Sequence, residues 1–213
     1  YCDPVFRFGT DEQKKRLLIP FARGEKIGCF ALTEPQAGSD AAALAAKAVL
    51  KGDRYIVNGT KAWITCGGVA DAVVAFVNTA PEKGEKGITA LVVERGMPGF
   101  EVGKEEKKLG INASACVELS FDDCEVPVAN RLGNEGEGYK IALVTLDGGR
   151  IGIAAQAVGI AHGAFEEALG YAKQRIAFGG PIANLQAIQF MLADMATEID
   201  AARLLTRRAA WKQ

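Results

Sequence analysis

Residues 49–65, VLKGDRYIVNGTKAWIT, place a Gly-Asp turn between two β-prone arms, the pattern of a hairpin. Three more strand-like runs follow, VADAVVAFVN, GITALVVE and CVELSFDDCEVP, each fenced by Gly, Pro or Asn. No long helical pattern separates them, so the region from Ile27 to about Val128 reads as an antiparallel barrel or sandwich and not as a Rossmann sheet. Upstream, TDEQKKRLLIPFARG (10–24) is a short amphipathic element: Thr10 stands at capping-box distance from Gln13, and Pro20 and Gly24 are expected to end it. Downstream of the glycine-rich LGNEGEGY (132–139) the period turns helical. Ile153, Ala157, Ile160, Ala161, Ala164 and Ala168 share one face, with further apolar residues that predict burial on more than one side. After the GGPIA break, Leu185, Ile188, Leu192, Met195, Ile199 and Ala202 form a narrow coiled-coil-like seam along a helix of roughly 40 Å. Two such helices need partners, from further residues or another subunit.

Composition narrows the function classes. The 213 residues carry 25 Lys plus Arg against 26 Asp plus Glu, which leaves no basic footprint for nucleic acid. With 49% hydrophobic and 24% charged residues, the chain is too apolar for intrinsic disorder. Cys2, Cys29, Cys66, Cys116 and Cys124 show no metal-ligand spacing, so no metal is expected; they read as free, buried or half-buried thiols of a reducing compartment. The sole histidine, His162, lies in an apolar helical pattern and reads as positioned by packing. No run of about 18 apolar residues stands out, so no membrane span is expected. No signal peptide is visible, although the start at Tyr1 leaves a cleaved transit peptide open.

Four segments could carry chemistry. In CFALTEPQAGSD (29–40), Pro35 forces a turn, and Gly38, Ser39 and Asp40 supply small, donor-rich backbone suited to a planar or anionic ligand. In NGTKAWIT (58–65), Trp63 could cover an aromatic ring system while Thr65 donates to a ring nitrogen. In LDGGRIG (146–152), Arg150 could grip phosphate, although an intrahelical pair with Asp147 is the commoner outcome. In QRIAFGGPIANLQAIQ (174–189), Arg175, Phe178 and Gln186 flank a helix break. Each has an ordinary structural reading when taken alone.

In this fixed order, ALTEPQAGSD, NGTKAWIT, KLGINAS, DGGRIGIAAQAVGIA and RIAFGGPI resemble the motifs of the acyl-CoA dehydrogenase family, closest to its short-chain, butyryl-CoA members. The resemblance implies an α+β multidomain fold, an antiparallel β-barrel middle domain flanked by helical domains. The chain would carry the end of an N-terminal helical domain (1–27), the middle β domain (28–130) and the first half of a C-terminal helical bundle (131–213). It implies FAD as cofactor, a short acyl-CoA substrate oxidised to the trans-2-enoyl product, electron-transfer flavoprotein as electron acceptor, and a homo-oligomer arranged as a dimer of dimers. Either the bacterial cytoplasm or the mitochondrial matrix suits such an enzyme.

Carried over by position, Phe30, Leu32, Thr33, Gly38 and Ser39 would line the flavin on one side, with Trp63, Ile64 and Thr65 on the other. Ser39, Asp147, Gly148, Gly149 and Arg150 would contact the CoA substrate. Arg175, Phe178 and Gln186 would reach the adenosine-pyrophosphate end of FAD on a neighbouring subunit. Most of the family place the catalytic Glu in a YEG-type motif, which is expected beyond Gln213; the minority position is Gly149 here, so these residues alone are expected to be inactive. Gln36 replaces a usual Gly, and Cys66 follows WIT where Asn is common. An acyl-CoA oxidase or related flavoenzyme of the same fold, and a non-catalytic acyl-CoA-binding or assembly module, are the alternatives.

Overall fold

The computed structural model describes residues 1–213. Two compact units divide the chain, residues 1–145 and residues 146–213.

The first unit opens with three short helices, α1 (Cys2–Phe8), α2 (Asp11–Leu17) and α3 (Ile19–Ala22). The capping box at α2 forms as the spacing predicts: the Gln13 backbone N–H donates to Thr10 Oγ1 at 3.2 Å, and the Thr10 N–H donates to Gln13 Oε1 at 2.9 Å. Gln13 also donates from its amide to the carbonyls of Ala129 and Arg131, at 2.8 and 2.7 Å, tying the helix to a distant segment. Pro20 does not end the helical run. It sits in the first turn of α3, where the missing N–H leaves no bond unmade.

Eight strands follow: β1 (Gly28–Ala31), β2 (Lys47–Lys51), β3 (Arg54–Thr65), β4 (Ala72–Asn78), β5 (Ile88–Glu94), β6 (Phe100–Glu105), β7 (Cys116–Pro127) and β8 (Arg131–Leu132). They form one sheet in the order β6-β7-β3-β2-β4-β5-β8, with β1 added on β4. The expected hairpin is β2–β3, closed by the two residues Gly52 and Asp53 between paired Lys51 and Arg54. The sheet is mostly antiparallel, yet β1 and β2 both run parallel to β4. Chain direction explains the β2 case: β3 reverses β2, and the turn after Thr65 reverses the chain again.

All seven residues of β4 are buried. Val73, Ala75 and Val77 join a core with Tyr55, Val57 and Leu119, whereas Val74 and Phe76 join a second core with Val5, Leu17 and Ile141. The period of two along a strand thus feeds two opposite faces of the sheet. Three cysteines, Cys29, Cys116 and Cys124, are buried and Cys66 is half-buried, but Cys2 is exposed, unlike the sequence expectation. Burial pushes the Cys29 thiol up to about 12 and that of Cys124 to about 11, so both remain protonated and unreactive.

The helix α4 (Gly138–Gln174) begins in the first unit and continues through the second. A tight hairpin, β9 (Ile176–Ala177) with β10 (Gly180–Pro181), leads to α5 (Gln186–Lys212). By length and composition α4 is apolar enough to cross a membrane, which corrects the expectation that no such stretch exists. All six residues of the α4 face expected to be buried are exposed, with Ile153 at 66% and Ile160 at 63%, and the half-buried face is instead that of Ala154, Val158, His162, Phe165 and Leu169. Two helices can cover only a stripe of each other. On α5, Ile188, Leu192 and Ile199 are half-buried as a seam requires, while Leu185, Met195 and Ala202 remain exposed.

Candidate functional site

β1 ends at Ala31, and residues 32–46 cross to β2 as a loop containing the TEPQAGSD segment. Leu32 is buried in the sheet core, so its side chain faces inward and only its main chain is offered to a ligand. Phe30 is half-buried, its ring 4.9 Å from that of Phe76 and tilted by 55°. Thr33 is half-buried, while Gly38, Ser39 and Asp40 are exposed.

The Thr33 carbonyl accepts from the Ala62 N–H at 2.9 Å. That bond brings the TEP loop beside the WIT segment of β3. Between Lys61 and Ile64 the register of β3 against β7 shifts, and Trp63 occupies the bulge with φ +60. For a bulky residue this left-handed conformation is an outlier, held here by buried neighbours Ala62 and Ile64. Trp63 consequently stands 57% exposed, and Thr65 is exposed on the same side of the strand. The sequence contains nine threonines, of which Thr10, Thr79, Thr89, Thr145, Thr197 and Thr206 have hydroxyl partners within the chain. Thr33, Thr65 and Thr60 do not, so two of the three free threonine hydroxyls belong to the site. The aromatic face, the two hydroxyls and the small residues of the loop fit a planar heteroaromatic group bearing hydrogen-bond acceptors.

Sequence reasoning missed what braces this site. Lys61 and Glu34 form a buried ion pair at 2.7 Å, their side chains 0% and 1% exposed. Glu34 also accepts from Ala45 N–H at 2.7 Å, Ala46 N–H at 3.1 Å and Gln36 Nε2 at 2.7 Å, and Lys61 Nζ donates to the Leu32 carbonyl at 3.1 Å. Burial works against the Glu34 charge, but the Lys61 charge and these bonds outweigh it and hold the carboxyl below its usual range. Burial draws Lys61 below its ordinary value, with Glu34 opposing the shift. Strand alternation was the available signal, since Tyr55, Val57 and Lys61 share the inward parity of β3. Arg95 is a second unanticipated brace: its guanidinium donates to the carbonyls of Ala70, Gly68 and Gly67 at 2.6, 2.9 and 3.1 Å and clamps the turn that follows Thr65.

In the second unit, Asp147 and Arg150 pair along α4 at 3.1 Å, both about two-thirds exposed. The intrahelical outcome is therefore the one adopted. No heavy atom lies within 4 Å of where a Cβ on Gly149 would stand, and one on Gly148 would approach the Gln213 amide. His162 is half-buried, with Nε2 3.4 Å from the Glu166 carboxylate one turn away. Arg175 and Gln186 are exposed at either end of the β9–β10 hairpin. Phe178 and Gly179 form its two-residue turn with φ 52 and 83, the type I′ signature, and the Phe178 ring is 94% exposed.

Residues 29–124 match the acyl-CoA dehydrogenase middle domain, and residues 136–213 match the acyl-CoA dehydrogenase C-terminal domain. The chain belongs to the acyl-CoA dehydrogenase family. It is 54% identical over 95% of its length to a short-chain specific acyl-CoA dehydrogenase of Clostridium acetobutylicum, covering 54% of that protein. An acryloyl-CoA reductase (NADH) of Anaerotignum propionicum is 52% identical over 97% of the chain and is covered to 53%. The structure of butyryl-CoA dehydrogenase from Megasphaera elsdenii superposes with a TM-score of 0.97 at 50% identity, over 99% of this chain and 55% of that one. The chain thus spans about half the length of the curated relatives it matches.

As an acyl-CoA dehydrogenase domain pair, the chain has the expected α+β fold, a β middle domain with helical segments on either side. The C-terminal match takes in the whole of α4. Phe178 offers a test that separates stability from binding. Replacing it with Asn, which suits a type I′ turn, is expected to raise the unfolding free energy by about 1 kcal/mol. A fall in the denaturant midpoint would show that the exposed ring supports the fold.

Proposed function

We propose that the chain is the FAD-binding and substrate-binding part of a short-chain acyl-CoA dehydrogenase. The domain limits are those expected from sequence, 1–27, 28–130 and 131–213. Trp63 carries the reading: a tryptophan kept outward at φ +60, beside two unpartnered threonine hydroxyls, serves a ligand better than it serves the sheet. Thr33 and Thr65 would donate to the flavin ring edges, Trp63 would cover one face, and Phe30 with the main chain of Leu32, Gly38 and Ile64 would complete the wall. Ser39 and the segment 147–150 would meet the CoA thioester, Arg150 exchanging its exposed Asp147 partner for phosphate. Arg175, Phe178 and Gln186 would hold the adenosine end of a neighbouring subunit's FAD, which makes a homo-oligomer part of the site.

FAD, when bound, supplies the acceptor for the substrate's β-hydride. The protein's task is to fix the thioester in line with that acceptor and to present a base to the α-proton. Gly149 has no side chain for that work. Electrons would leave to an electron-transfer flavoprotein, and the free thiols suit a reducing compartment such as the bacterial cytoplasm or mitochondrial matrix.

The test uses the protein at the length of its relatives. It should purify yellow or take up FAD, and should dehydrogenate butyryl-CoA with an artificial electron acceptor. No turnover with any short acyl-CoA would remove the substrate assignment, and a colourless protein that refuses FAD would favour a non-catalytic binding module. A second reading comes from the 52% identical acryloyl-CoA reductase. Oxidation of NADH on addition of acryloyl-CoA would select reduction as the direction of use.

A further inference from the structure

We infer that the buried Lys61–Glu34 pair is a positioning device for the flavin site, setting the spacing between the TEP loop and the WIT strand; the inference rests on the FAD reading above. Its bonds reach four segments. Lys61 is on β3, two residues before Trp63, and donates to Leu32 at the exit of β1. Glu34 follows Thr33 directly and accepts from Ala45 and Ala46, the residues that lead into β2. Gln36, the residue that departs from the family's usual Gly, donates to the same carboxylate and so ties the outer part of the loop to it. The adjacent bond from Ala62 to the Thr33 carbonyl runs between the same two segments. Thr33 and Trp63 are thus each within two residues of one end of a single ion pair.

Stability alone does not explain such a pair. An ion pair 0% and 1% exposed has both charges removed from water, and well-packed apolar residues of similar volume often serve a fold equally well or better. The surrounding core, Ala46, Ile64 and Leu119 among it, is apolar. What apolar residues cannot do is receive the Ala45, Ala46 and Gln36 donors and hold the Leu32 carbonyl at one fixed place. A carboxylate fed by donors from three directions has one position, and so does the loop that carries it. Neither residue points outward to touch a ligand, so both act through Thr33 and through the Ala62–Thr65 segment.

The discriminating variant is the double substitution Lys61→Met, Glu34→Leu in the protein at the length of its relatives, compared with the unsubstituted protein. Each single substitution strands a buried charge; the double strands none and removes only the hydrogen bonds to Ala45, Ala46, Gln36 and Leu32. Thermal unfolding of the flavin-free protein is expected to remain cooperative with its midpoint lowered by about 5–10 °C, the cost of the buried backbone groups left without partners. FAD affinity, read by quenching of flavin fluorescence, is expected to weaken by about tenfold or more, as when one well-placed hydrogen bond is lost. The visible circular dichroism of the remaining bound flavin should change, since that signal follows the ring's surroundings. FAD binding within twofold of the unsubstituted protein with an unaltered spectrum would overturn the positioning role. So would a double variant that fails to fold, because the pair would then be holding the sheet together. If the unsubstituted protein takes up no FAD, the cofactor reading falls and this inference falls with it.

Discussion

Replacing Gly59 with alanine is expected to destabilise the first unit by about 2–5 kcal/mol and to disturb the flavin loop as well. Gly59 has φ +142, a conformation that side chains rarely adopt, and it sits where the pairing of β3 with β7 shifts after Val57. A Cβ there would stand 2.6 Å from both the Cα and the Cβ of Ala46. A backbone atom cannot swing aside as the end of a flexible side chain would. Ala46 is also one of the N–H donors to Glu34, so displacing it pulls on the carboxylate that anchors the TEP loop. Urea unfolding of the variant should show a lowered midpoint, together with weaker FAD binding. An unchanged midpoint would mean that β2 retreats from β3 at no cost, and the proposed contact between them would lose its force.

The second large effect concerns Phe76. It is fully buried at the middle of β4, and its ring packs against Phe30 at the edge of the proposed flavin wall. Phe76→Ala leaves a cavity between the sheet and the helices α1 to α3, with an expected loss of about 3–5 kcal/mol. The same cavity frees the Phe30 ring to move. A Phe76→Leu variant should recover most of the stability, since it restores most of the volume. If Phe76→Ala costs less than about 1 kcal/mol in the denaturant midpoint, the second core has closed around the gap and is less tightly packed than its contacts imply.

Much of the architecture is legible residue by residue. The β2–β3 hairpin follows from the Gly-Asp turn between alternating arms, and the α2 cap from Thr10 and Gln13. β6 is harder to read because FEVGKE lies at the sheet edge with five of six residues exposed, so no apolar alternation marks it. β1 is four residues long and joins the sheet by a parallel pairing across 40 intervening positions, a relation that local propensity does not encode. Among the site residues, Trp63 and Thr65 are visible from their strand, but the bulge that turns Trp63 outward depends on register against β7. Lys61 is visible as a charge at an inward position. Its partner is not, because Glu34 lies 27 residues earlier in a loop that only the folded sheet brings near. The type I′ turn at Phe178 is hidden for a different reason: the residue there is not one that favours the conformation.

The alternation along β4 and β5 bears on how the first unit comes apart. Val73, Ala75, Val77, Leu91 and Val93 belong to one core, and Val74, Phe76, Ile88, Ala90 and Val92 to the other. The two apolar layers therefore have no chain segment between them that could loosen while both survive. Melting either layer releases the strands on which its counterpart is mounted, so the helical cover and the outer strands share one unfolding transition. The proposed flavin loop, attached to both layers through Leu32 and Glu34, is guarded by the stability of the whole unit and not merely by its own few contacts.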